Sequence, residues 1–155
     1  MMDQVEVIQK VKERLERDGY EVWASRDGRG VGPDIFAMRN HDELVIEAVG
    51  ETKTRSCSGQ DIIISLGTIV KRIKEGATET RYGIAIPESF MRFLKEFEVG
   101  GLQALKLHLF IVQEFGLVYH LDFQKTIVLV QRLKAGEHIV PFLMDIDYKP
   151  ETSKP

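Results

Sequence analysis

The chain has 155 residues, 43% apolar and 29% charged, with a net charge of −3, which describes one globular domain with an ordinary core and excludes a disordered segment. The negative balance excludes a protein that coats nucleic acid through bulk charge, while local cationic patches beside a carboxylate-lined cleft stay compatible with it. No long apolar run is present and the N-terminus MMDQVEVIQKVKERLERDG is charged and helical, so neither a membrane span nor a signal peptide is expected and the location is read as cytoplasmic; the single Cys57 excludes an internal disulfide and has no assigned role.

Val5, Ile8, Val11 and Leu15 recur every three or four positions among charged residues, which predicts an amphipathic helix over 3–18, stopped by Gly19. YEVWAS (20–25) reads as a strand, and RDGRGVG follows as a loop. Its glycines at 28, 30 and 32 precede a strand and not a helix, and no Gly-Lys-Ser/Thr follows, which argues against a phosphate-binding loop and a nucleotide cofactor. DIFAM and ELVIEAV are strands joined by RNHD, a hairpin with a polar tip. Alternation in the second strand puts Val45, Glu47 and Val49 on one face and Leu44, Ile46 and Ala48 on the other. Glu47 is therefore a carboxylate inside an apolar strand, and its burial requires a metal, a cation or water as partner. A structural pair with Arg or Lys meets that requirement as well as a metal does.

Ile62, Leu66, Ile69 and Ile73 mark the clearest helix, beginning at Ser58 or Gly59 and ending before Gly76. Lys71, Arg72 and Lys74 at its end are a candidate cationic patch for a nucleic-acid backbone, and read first as charges that complement the helix dipole. RYGIAIP is a strand closed by Pro87, ESFMRFLKEFE a helix with Phe90, Phe93, Leu94 and Phe97 inward, and LKLHLFIV the next strand. This order predicts a three-layer α/β arrangement in which helices cover a central mixed sheet. GLVYHLDF, TIVLVQRL and HIVPFLMDID read as further short strands, a β-rich C-terminal extension over about 113–148 packed on the sheet edge or used in a dimer contact. The expected organisation is a single domain over 1–150 with its core at about 3–112, and a tail at 151–155. His41, His108, His120 and His138 lack metal-ligand spacing and read as ordinary surface or half-buried histidines.

The block PDIFA, then LVIEAVGETK, a helix beginning near Gln60, YGIAIPE and an apolar strand resembles the PD-(D/E)XK nuclease superfamily, the restriction-endonuclease-like fold. In style it is similar to small Holliday-junction-resolvase-type and restriction-like nucleases. The resemblance implies a DNA endonuclease dependent on Mg²⁺ or Mn²⁺, working as a homodimer so that two sites cut two strands. It implies Asp34 and Glu47 as metal ligands and the backbone carbonyl of Ala48 as a third, the all-oxygen donor set a hard cation prefers. Glu6 would be an accessory acid, Gln60 a polar residue supplied by the following helix, and Glu51 a substitute acid. Arg29 and Arg55 would meet the DNA backbone. Such sites carry a lysine two residues after the second acid, where this chain has Val49. The resemblance leaves three outcomes: Lys53 takes that role, Lys71 reaches in, or the protein is a catalytically inactive nuclease-fold module for nucleic-acid binding or assembly.

Overall fold

Six strands lie side by side in chain order in one sheet, in a computed structural model that describes residues 1–25, 32–52, 58–76 and 79–147. They are β1 (Glu21–Ala24), β2 (Ile35–Arg39), β3 (Asp42–Ala48), β4 (Thr80–Pro87), β5 (His108–Val112) and β6 (Val118–Leu121). β1, β2 and β3 pair antiparallel, β3, β4 and β5 parallel, and β6 returns antiparallel to β5. Parallel neighbours need a long crossover. The first is supplied by α2 (Ser58–Arg72), and the second by a 3-10 helix (Glu88–Glu96) followed by α3 (Val99–Leu105). The expected hairpin is present, with Arg39 opposite Asp42 and Asn40 at φ 56° between them. Asparagine tolerates that left-handed backbone better than most residues.

The two faces of the sheet have separate cores. α1 (Gln4–Arg17) begins at Asp3, whose side chain accepts the backbone N–H of Glu6 as an N-cap. It buries Val7, Ile8, Val11 and Leu15 against Ile35, Ala37, Leu44, Ile46 and Ala48. On the opposite face, Ile62 and Ile69 of α2 join Phe90, Leu94, Val49, Ile84 and Ile111. The alternation in β3 is thus realised: Leu44, Ile46 and Ala48 face α1, while Val45 and Val49 face the α2 side. α1 also rests directly on the chain leaving β3. A Cβ at Gly50 would lie 2.0 Å from the backbone nitrogen of Gln4, closer than atoms can approach.

The β-rich C-terminal extension is corrected. Of the three strands expected between 113 and 148, only the first forms, as β6; the others are α4 (Phe123–Lys134) and α5 (Val140–Asp147). The side chain of Asp122 accepts the Lys125 N–H and caps α4, and Thr126, Leu129 and Val130 bury one helical face. Their three- and four-residue spacing outweighs the β-branched composition of TIVLV. Pro141 stands in the first turn of α5, where a missing N–H leaves no bond unmade. α3, not expected from the sequence, adds Leu102 to the core. The tail at 151–155 lies outside the described residues. Among the described residues, no helix is long and apolar enough to cross a membrane.

Candidate functional site

Continuing the β2–β3 register one step beyond Ile35 opposite Ile46 places Asp34 opposite Glu47. Directly opposed residues carry their side chains on the same face of a sheet, within reach of each other. The two carboxyl groups share a hydrogen bond, and both are buried, at 6% and 7% exposure. Asp34 Oδ2 also accepts the Ala48 backbone N–H at 2.8 Å and the Gln4 side-chain amide at 3.3 Å. The same Gln4 Nε2 donates to the Ala48 carbonyl at 3.1 Å.

A cation completes the cluster. Arg72, in the last turn of α2, donates from Nε to Glu47 Oε1 at 2.7 Å and reaches the Gly32 carbonyl at 3.3 Å. Its own carbonyl accepts the Tyr82 hydroxyl at 3.4 Å. Burial first, then the hydrogen bond and negative charge of Asp34, raise the pKa of Glu47 from 4.5, Arg72 opposes them, and the net value is about 7. Two carboxyl groups pressed together beside a balancing cation are an arrangement that functional sites share with structural ion-pair networks.

The other candidates separate into those the fold keeps away or engages in other bonds and those outside its described part. Val49 is 4% exposed and packed in the core on the α2 side, so no polar group stands at the lysine position. Glu51 lines the cleft beside the pair, and its carboxylate is engaged there, accepting the Met2 N–H at 2.7 Å and the Ser89 hydroxyl. The Ser89 hydrogen bond lowers its pKa, and the two bonds anchor the start of the chain. Glu6 is exposed on α1 and lines a groove with Lys10, Arg17 and Val118, away from Asp34. Gln60 and Lys71 are exposed on α2. Lys53, Arg29 and Arg55 lie outside the described residues, as do Gly28 and Gly30.

A cleft of about 430 Å³ borders the pair. It is lined by Gln4, Ala48, Val49, Asp61, Ile64 and Ser65 among others, with Asp34 and Glu47 behind its Gln4–Ala48 wall. It opens beyond the carboxyl end of β3, the usual position of ligand sites in open α/β sheets. The donor set of two carboxylates and one carbonyl suits a hard divalent cation in chemistry. Three of its oxygens carry protein donors in this arrangement: Arg72 on Glu47, Gln4 and Ala48 N on Asp34, and Gln4 on the Ala48 carbonyl. Among the described residues no group of three His, Cys, Asp or Glu side chains is placed to hold a metal, so a cation here would rely on two carboxylates, the carbonyl and water.

Sequence reasoning missed Gln4 and the pairing of Arg72 with Glu47. Arg72 follows the buried Ile69 by three positions, which turns it toward the sheet, and that spacing was the available signal. Gln4 had none beyond its place at the start of α1. The chain matches no protein-family model, and no curated protein matches it.

Proposed function

We propose that the protein is a PD-(D/E)XK-type nuclease with an atypical site, hydrolysing DNA phosphodiester bonds with Mg²⁺ or Mn²⁺. The observation that supports this most directly is the opposition of Asp34 and Glu47 across the β2–β3 hairpin, with Glu47 raised to about 7. The residues that would hold the cation are Asp34, Glu47 and the Ala48 carbonyl. When bound, a divalent cation supplies Lewis-acid polarisation of the phosphate and an acidified water.

The remaining steps belong to the chain. For a cation to bind there, Glu47 would have to be ionised, with its proton passed to solvent, and the cation would have to displace Arg72 from Glu47 and Gln4 from the Ala48 carbonyl. A displaced guanidinium would offer phosphate oxygens a fork of donors. Arginine does not lose its proton at neutral pH, so Arg72 stabilises charge and leaves deprotonation of water to other groups. In this reading the substrate is DNA, and a second copy of the chain supplies the cut on the opposite strand.

A second reading is favoured by one specific observation, the Arg72–Glu47 ion pair beside a buried Val49. An internal cation that already neutralises the acidic pair gives a stable module with the nuclease fold and without the reaction, serving nucleic-acid binding or assembly. Calorimetric titration with Mn²⁺ and plasmid nicking in Mg²⁺ or Mn²⁺, beside Asp34→Ala, separate the two. Saturable Mn²⁺ binding and nicking, both lost in Asp34→Ala, support the nuclease. Neither at high protein concentration leaves the module.

A further inference from the structure

At the other end of the parallel strands from Glu47, where β4 and β5 begin, the protein has a cavity of about 460 Å³. Tyr82 and His108, both buried, lie at its base. We propose that this cavity binds a small organic anion, its oxyanion head between Arg81 and Lys106 and its ring-sized apolar body against Ile73, Leu105 and Phe123.

The sign of the ligand follows from the two cations. Arg81 contacts Asp42 at 3.5 Å, with both side chains nearly half exposed. Such a pair is weak, which leaves the guanidinium free to exchange Asp42 for a phosphate or carboxylate. Lys106 sits on the same rim at φ 48°, a left-handed backbone that glycine adopts without penalty and lysine does not. A metal cation is disfavoured by the same two charges.

His108 supplies the polar group at the base. Its Nδ1 lies 3.0 Å from His120 Nε2, and no other hydrogen bond engages the ring among the described residues. His108 lines the cavity, and with Nδ1 engaged by His120 its Nε2 is the ring nitrogen left for a ligand. Burial first, and the charge of Arg81 second, hold His108 at about 4, so the ring is neutral at neutral pH. When His120 donates across the pair, His108 carries its proton on Nε2 and donates it to an oxyanion. The size follows from the walls, since apolar side chains with a few convergent polar groups are the usual lining of a small-molecule pocket.

The test titrates the full chain with phenyl phosphate and with inorganic phosphate, followed by calorimetry and by the NMR signals of the His108 ring. Phenyl phosphate is expected to bind saturably, to move those signals, and to bind about tenfold more tightly than inorganic phosphate, which lacks the apolar body. Arg81→Ala with Lys106→Ala is expected to weaken it by about tenfold or more. Ala104→Trp, at an exposed wall position, fills the cavity and is expected to abolish binding. The absence of saturable binding at millimolar concentration overturns the proposal, as does equal affinity for both phosphates or binding unaltered by the substitutions. No readout involves metal or DNA cleavage, so this result stands apart from the nuclease reading.

Discussion

Asp34 meets Glu47 across β2 and β3, and His108 meets His120 across β5 and β6. Both are pairs of like titratable groups joined by strand pairing, one by direct opposition and the other diagonally, since Phe110 is the residue opposite His120. Their surroundings then diverge. The carboxyl pair has a cation, Arg72, in contact, which keeps ionisation of Glu47 within reach of neutral pH. The imidazole pair is held neutral, at about 4 and about 3, by burial first, then by the charge of Arg81 on His108 and those of His108 and Arg14 on His120; the Phe110 ring stacks on His120 at 4.2 Å. Sheet geometry decides which groups meet; burial pushes both pairs toward the neutral form, and the neighbouring charge opposes that push at Glu47 and adds to it at the histidines.

The largest expected effect comes from removing the charge beside Glu47. Arg72→Met leaves a buried carboxylate without its cation and is expected to lose about 3 kcal/mol of stability at pH 8. The loss shrinks at pH 5, where Glu47 is protonated; urea denaturation at the two pH values measures both. An equal loss at pH 5 would show that Arg72 matters through packing.

The histidine pair tilts stability the other way. The folded pKa values lie below the ordinary 6.5, so the unfolded chain takes up protons first and stability falls as pH drops below 6.5 toward 4 and 3. A loss of about 2 kcal/mol between pH 7 and 5 is expected, and His120→Phe, retaining a ring against Phe110, is expected to remove about half of it, since burial and Arg81 still depress His108. Thermal melts across that range decide the matter.

Glu47→Gln addresses the opposite limb. The folded pKa of Glu47 lies above its ordinary 4.5, so ionisation destabilises the fold as pH rises from about 4.5 through about 7. Replacing it is expected to flatten that limb, gaining roughly 1.5 kcal/mol at pH 8 while eliminating Mn²⁺ binding. The smallest effect is expected of Gln4→Ala, which loses two hydrogen bonds and about 1 kcal/mol in urea denaturation. It also frees the Ala48 carbonyl, so Mn²⁺ affinity measured by calorimetry is expected to hold or rise. A marked fall would show that Gln4 positions Asp34 for the cation.

Much of the fold was legible because it rests on local periodicity. Val5, Ile8, Val11 and Leu15 announced α1, and the alternation around Glu47 gave the two faces of β3. The same kind of signal was misread after β6, where β-branched residues in TIVLV suggested a strand although Thr126, Leu129 and Val130 carried helical spacing. Asp34 and Glu47 were legible because a hairpin converts separation along the chain into opposition across it. Arg72 was read as a dipole-complementing charge, because its pairing depends on how α2 crosses the sheet, which no local spacing records. Glu6 was chosen where the fold uses Gln4: two residues along a helix turn the side chain to another side, and the phase of α1 is fixed only where its first turn meets β3.

That meeting point is Gly50. The hydrogen that stands where other residues carry a methyl lets the backbone of Asp3 and Gln4 pass within contact, and the atoms a Cβ would strike are backbone, which cannot rotate aside. A ladder of two bonds, Glu51 N–H to the Met2 carbonyl and Met2 N–H to the Glu51 carboxylate, then fastens the two segments together. Gly50 works as a zero-length spacer: adding one carbon there would lift the helix start off its seat, and the amide of Gln4 would leave Asp34 although every polar group of the site remained intact.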